Sequence, residues 1–205
     1  MTYLVLGFMT GMSLILALGP QNIFVIEQGL KKEFIFLVCL ICSASDTLLI
    51  FLGIFIFNYF QSFFTPLIEF ILNLLLLIFL LYFIWNKIYK EINRLNLNIS
   101  NTKKSLPSVV FKTLGFTYLN PHVYSDTVFF LGNVSKDLLL KQKLFFGLGA
   151  SLSSFIFFFI IGYMSKFLSN HLKTARIWKI INILIIIFMS TLAFYVLINI
   201  FNFFN

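Results

Sequence analysis

Apolar residues do not alternate with polar ones along this chain. They continue in stretches of about twenty residues, separated by short clusters of Lys, Asn, Gly and Pro. The stretches fall at residues 3–26, 34–57, 66–85, 113–133, 144–163 and 177–200. Each is long enough to cross about 30 Å of hydrocarbon as a helix rising about 1.5 Å per residue. The pattern predicts an all-α integral membrane protein with six transmembrane helices. About 70 residues remain outside the stretches, too few for a further soluble domain of ordinary size, so residues 1–205 are predicted to form a single transmembrane domain.

Composition points the same way, with 60% hydrophobic residues, 11% charged residues and a mean hydropathy of +0.99. The formal charge of +8 would suit nucleic acid if it lay on one soluble face. Here the basic residues lie in short loops between apolar stretches, so the predicted partner is anionic lipid and not nucleic acid. The 29 Phe, beside abundant Ile, Asn and Lys, are read as compositional bias and lipid-facing surface. Ala17 and Gly19 imitate a signal-peptide cleavage site. However, no basic segment precedes the first stretch and Pro20 follows at once, so that stretch is expected to be retained.

Lys and Arg are unevenly shared between the two sides. Twelve of them (Lys31, Lys32, Lys87, Lys90, Arg94, Lys103, Lys104, Lys112, Lys166, Lys173, Arg176 and Lys179) fall in or beside the loops joining helices one to two, three to four and five to six. Only Lys136, Lys141 and Lys143 fall on the other side. Twelve against three places the first group in the cytoplasm and both termini outside. The polar stretch 87–111 reads as a cytoplasmic linker between halves 1–86 and 112–205. Because each half would hold three helices, a repeat would have to insert with opposite topology, a 3+3 inverted arrangement found in secondary transporters.

Signs of such a repeat are present. Gly19-Pro20-Gln21-Asn22 interrupts the first helix of one half, and Asn120-Pro121-His122 that of the other. The following helix carries Ser43-Ala44-Ser45-Asp46 in the first half and Ala150-Ser151-Leu152-Ser153-Ser154 in the second.

These polar positions are the candidate site. Proline has no amide hydrogen and crowds the carbonyl four residues earlier, so Pro20 and Pro121 are expected to break their helices and free the carbonyls of Leu16 and Thr117. Irregular backbone at membrane depth is tolerated where protein or water satisfies it, which predicts a cavity lined by both breaks. A broken helix offers one partly negative and one partly positive end, matching an amino acid's ammonium and carboxylate. Gln21, Asn22 and Asn120 add amides that donate or accept. The plain alternative is a proline kink with amides bonding neighbouring helices. Asp46 lies near the middle of its helix, where a carboxylate costs about 2.5 to 3.5 kcal/mol on insertion scales, so something must compensate it. Asp126 stands one turn after His122, and the two share a face. A carboxylate for which a proton and a cationic solute compete would couple the two flows, and Asp46, Asp126 and His122 are the candidates. His122 suits a structural hydrogen bond equally well.

Other features read more simply. Cys39 and Cys42 form C-x-x-C inside a membrane helix, where i, i+3 spacing on one face indicates packing rather than redox chemistry. Cys39, Cys42, Ser43, Asp46 and Gly53 make a stripe of small or polar residues. Gly7 with Gly11, and Gly147 with Ser151 and Ser154, mark further close helix contacts. Glu27 and Lys31 read as an interfacial ion pair, and Glu69 as reaching the headgroups.

The stretch Ser13-Leu14-Ile15-Leu16-Ala17-Leu18-Gly19-Pro20-Gln21-Asn22 with Gln28-Gly29-Leu30, and Leu119-Asn120-Pro121-His122-Val123-Tyr124 with Asp126-Thr127, closely resemble the LysE/ArgO family of basic amino-acid exporters. Ser45-Asp46, Trp85, Ala175-Arg176 and Ile181-Asn182 extend the resemblance over nearly the whole chain. It implies export of L-lysine or L-arginine across a bacterial inner membrane, driven by the ion gradient; the carboxylates make protons the expected coupling ion, and no cofactor is expected. A sister branch exporting neutral amino acids such as threonine or homoserine differs around both prolines. Ser125 departs from the apolar residue expected between Tyr124 and Asp126, and the choice between lysine and arginine stays open, as does the oligomeric state, a homodimer included.

Three rivals follow from the same residues. A six-helix thiol or electron carrier would need a cysteine in the first helix of each half, and both cysteines lie in helix two. An intramembrane aspartyl protease using Asp46 and Asp126 would carry G-x-G-D, which neither has. A purely structural protein leaves the mid-membrane carboxylates and broken helices unexplained.

Overall fold

The computed structural model describes residues 2–16, 19–63, 65–96, 105–169 and 175–202. Ala17, Leu18, Lys103, Lys104, Lys173 and residues 97–104 of the expected linker lie outside them. Every regular element among the described residues is helical: α1 (Thr2–Ile15), α2 (Pro20–Lys31), α3 (Ile35–Phe63), α4 (Pro66–Asn96), α5 (Leu106–Tyr118), α6 (Pro121–Tyr124), a π-helical turn (Ser125–Phe130), α7 (Leu131–Ser135), α8 (Leu140–Ser169) and α9 (Ala175–Asn202).

Four helices contain segments long and apolar enough to cross a membrane, namely Ile35–Phe57, Pro66–Tyr89, Leu140–Ser169 and Ile180–Ile198. Taken as one span, α1 and α2 make a fifth, bent by 82°. The protein is therefore a multi-pass membrane protein. With 14 residues, α1 reaches only about 21 Å, short of a hydrocarbon core on its own. The same limit applies to α5, with 13 residues.

The chain turns where its residues require it. Pro20 and Pro121 each occupy the first turn of a new helix, where no amide hydrogen is needed. α2 ends on Lys32 in the left-handed region, φ 59°, whose amide closes back onto the Gln28 and Gly29 carbonyls. Along α4, Leu67, Ile71, Leu74, Leu75, Ile78 and Leu81 are exposed, so its outer face is apolar, the inverse of a soluble helix.

Packing runs between the two halves of the sequence. α1 lies against α8, α3 against α8 and against the π-helical turn, and α4 against α9. Glycine sets the closest approaches. A side chain at Gly7 would strike the Phe146 carbonyl, and one at Gly149 the Leu4 carbonyl. On the opposite seam, a Cβ at Gly53 would lie 2.6 Å from Val128 Cα, and one at Gly132 would lie 2.8 Å from the Gly53 carbonyl oxygen. Small residues permit this proximity, which in lipid is where van der Waals packing gains most.

The interior is more aromatic than the sequence reading allowed. Phe24, Phe79, Phe83 and Phe116 are buried and meet ring to ring, Phe79 on Phe116 at 4.8 Å and Phe83 on Phe116 at 5.1 Å between centroids. Part of the Phe excess is thus core and not lipid surface.

Candidate functional site

Asp46 sits on α3 with 5% of its surface exposed. Its Oδ2 accepts a hydrogen bond from Ser154 Oγ of α8 at 2.8 Å. Gln21, in the first turn of α2, lies against both Asp46 and Cys42, and Thr117 of α5 also reaches Cys42. Asp126, in the π-helical turn, is within Coulomb range of Asp46. The cluster therefore draws on α2, α3, α5, α8 and the π-helical turn. Among the described residues no cationic side chain is paired with Asp46.

The two interruptions meet beside this cluster. A Cβ built at Gly19 would come within 3.9 Å of Asn120 Nδ2. Pro20 and Pro121 are both buried. Asn22 and Asn120 are also buried, and each serves its own break. Asn22 Nδ2 donates to the Ile15 carbonyl at 3.1 Å, while Asn120 Oδ1 accepts from the His122 amide at 3.2 Å. Tyr124 Oη donates to the Tyr118 carbonyl at 2.9 Å. The carbonyls met by side chains are thus those of Ile15 and Tyr118, the last residues of α1 and α5. Each is the chain neighbour of a carbonyl, Leu16 or Thr117, that a proline is expected to leave without an amide partner.

His122 takes a different place. It is exposed, with its ring stacked on Tyr195 of α9 at 5.8 Å and 27°, yet it remains close enough to interact electrostatically with Asp126. The cysteines are free thiols. Cys39 Sγ donates to the Phe158 carbonyl at 3.2 Å, and Cys42 is fully buried. These are packing contacts.

Two features went unread in the sequence. Asp126 and Thr127 stand in a π-helical turn, a local widening often found at functional sites, and no spacing rule announces it. Glu27 makes the expected pair with Lys31 and is also drawn into the packing between helices. It is 3% exposed and pairs with Lys87 of α4 as well as with Lys31, a contact across sixty positions that one-dimensional spacing cannot show.

Chemically, the Asp46 cluster is a carboxylate held by a hydroxyl and faced by an amide, with a second carboxylate nearby and two helix ends beside it. Such a set suits a proton or an organic cation. Residues 12–200 match the model of the LysE type translocator family. The chain belongs to the LysE translocator family.

Members of this family with assigned names bear out the match. The chain is 33% identical to the arginine exporter protein ArgO of Salmonella enteritidis PT4 and to that of Salmonella typhimurium. It is 32% identical to the one from Salmonella paratyphi C. Each comparison spans 200 residues, 94% of this chain and 92% of the relative. No solved structure matches the chain. As a member of the LysE family the protein is a translocator and not an enzyme.

Proposed function

We propose that this protein exports basic amino acids, L-arginine or L-lysine, across the bacterial inner membrane, with protons as the coupling ion. The observation that carries the reading is Asp46, a buried carboxylate bonded to Ser154 and faced by Gln21, with no cationic side chain paired to it among the described residues, at the junction of two interrupted helices. An ammonium or guanidinium supplies the missing charge. The resemblance to arginine exporters along almost the full length supports the substrate class.

In this reading Asp46 holds the solute's cation and Asp126 takes the proton. Gln21, Asn22 and Asn120, with the helix ends at Pro20 and Pro121, hold the solute's amino-acid end. His122, beside Asp126, tunes that carboxylate from the flank. The architecture is six spans in two halves of opposite topology, 1–86 and 112–205, with α1–α2 as the first span and α5–α7 as the fourth. The packing supports this arrangement. α1 of the first half meets α8 of the second, and α3 meets the π-helical turn, so the first span of each half contacts the second span of the other.

The test is counterflow of labelled arginine in vesicles holding the purified protein, loaded with arginine, lysine, threonine or leucine. Exchange with arginine and lysine, lost in Asp46→Asn, is expected. Exchange with threonine or leucine alone would overturn the reading in favour of a neutral amino-acid exporter.

A further inference from the structure

A second buried carboxylate stands at the lysine-rich end of the bundle. Glu27 on α2 pairs with Lys31 one turn later and with Lys87 of α4 at 3.0 Å, and its own side chain is only 3% exposed. Lys87 Nζ also lies 5.5 Å from the centre of the Phe83 ring, and Lys112 Nζ of α5 lies 5.6 Å from the same ring. Several cations thus gather near one carboxylate where α2, α4 and α5 converge. A buried ion pair is a poor way to gain stability, since desolvation consumes most of the attraction, so its presence asks for another reason.

Its position along α2 supplies one. Gln21 faces Asp46, and Glu27 follows six residues later, about 9 Å along the helix. Between them Phe24 meets the rings of Phe116 at 5.2 Å and Phe83 at 6.3 Å, so an aromatic cluster stands along α2 between Gln21 and Glu27. Beside Glu27, Gln28 is fully buried, and neither atom of its amide has a hydrogen-bond partner among the described residues. It lies seven positions from Gln21 and so shares its helix face. An unpartnered buried amide on the helix face of Gln21, one residue along from Glu27, suits a polar ligand passing between the two acids.

We propose that Glu27 is a second solute station, at which the ammonium or guanidinium of the transported amino acid takes the place that Lys87 Nζ holds in this structure. Lys87 is a tethered copy of the solute's own cation, an ammonium on a four-carbon stem. While it is bound, α2 and α4 are joined and the Phe24, Phe83 and Phe116 rings stay together. Exchange of Lys87 for the solute releases α4 from α2 and lets the rings part. The inference rests on the basic amino-acid reading, and it adds a site and an order of events which that reading lacks.

The experiment measures labelled arginine binding to the purified full-length protein in an Asp46→Asn background, which silences the deeper site. There Lys87→Met removes the tethered competitor and is expected to tighten binding about tenfold, the scale of one charge-assisted hydrogen bond. Adding Glu27→Gln should abolish that binding. The triple variant removes both partners of the pair, a change a fold tolerates better than removal of one, and its thermal unfolding is followed alongside. Equal arginine binding with and without Glu27→Gln, in protein that unfolds at the same temperature, overturns the proposal. The two readings fail separately. If Asp46→Asn alone leaves binding and export unchanged, the deeper site is misplaced; if it abolishes export while Glu27→Gln exports with unaltered KM, only the Glu27 station falls.

Discussion

Ser154 in the second half of the sequence donates its hydroxyl to Asp46 in the first half at 2.8 Å, and both residues are buried. A hydrogen bond to a carboxylate is worth about 1.5 to 3 kcal/mol, and its loss inside a protein costs the acceptor most of that. Ser154→Ala is therefore expected to lower arginine export at least about tenfold. Ser154→Thr, which keeps the hydroxyl, should stay well above the alanine variant. Initial export rates at equal membrane abundance test this; equal rates for alanine and wild type would leave the bond without a role.

The seam between α3 and the π-helical turn has no room for a methyl group. A Cβ at Gly53 would lie 2.6 Å from the Val128 carbonyl oxygen and 2.8 Å from that of Thr127, both rigid backbone. Overpacking of this kind costs about 1 to 3 kcal/mol. Gly53→Ala should lower the unfolding temperature in detergent and shift Asp126, which the same turn carries. In contrast, Leu152→Ala on the exposed face of α8 should leave the unfolding temperature nearly unchanged. An unaltered melting curve for Gly53→Ala contradicts the close approach.

How much of this was visible beforehand follows from what spacing can encode. Runs of apolar residues showed where helices lie, because burial in lipid acts on every residue of a span. Pro20 and Pro121 announced the helix ends, because a missing amide hydrogen is a local property. Gln21, Asp46 and Asp126 could be nominated from polarity at membrane depth, and in the structure Gln21 and Asp126 both lie near Asp46, which Ser154 bonds. Their partners could not be nominated. Nothing near Glu27 in the chain points to Lys87, and nothing near Asp126 signals a π-helical turn, since both depend on how separate helices settle against each other. His122 lies within electrostatic reach of Asp126, as their shared face predicts, but its ring contact with Tyr195 of α9 is another that spacing cannot show.

Both interruptions are capped by side chains from the helix that follows. Asn22 donates to the Ile15 carbonyl and Tyr124 to the Tyr118 carbonyl. Tyr124→Phe removes a single hydroxyl and leaves a carbonyl unmet, at a cost of about 1 to 3 kcal/mol. Asn22→Leu does the same at the first break. Either change should speed hydrogen exchange at the adjoining helix ends before it alters global unfolding. Exchange indistinguishable from wild type in both variants would mean that other groups satisfy these carbonyls.

The thiols are expected to be dispensable. Cys39 uses its sulfur only as a weak donor to the Phe158 carbonyl, and Cys42 is enclosed. Serine can make the first contact at similar size. Cys39→Ser with Cys42→Ser should export arginine within about threefold of wild type, a loss no larger than one weak hydrogen bond. Complete inactivity of a correctly folded double variant would revive the thiol-carrier reading.

The two carboxylates should fail in different ways. If Asp46 holds the solute's cation, Asp46→Asn leaves a neutral amide that cannot pair with it, and both exchange and net export disappear. If Asp126 carries the proton, Asp126→Asn mimics its permanently protonated form. Solute can then still be swapped across the membrane, but the proton gradient no longer pulls it in one direction. The expected signature is counterflow of labelled arginine retained within about tenfold in Asp126→Asn, the loss of one charged contact at most, with accumulation against a gradient abolished. A pH gradient imposed on the vesicles should drive uphill movement in wild type and none in this variant. Loss of counterflow and uphill transport together in Asp126→Asn would make both carboxylates part of one cation site, and retention of uphill transport would move the proton elsewhere.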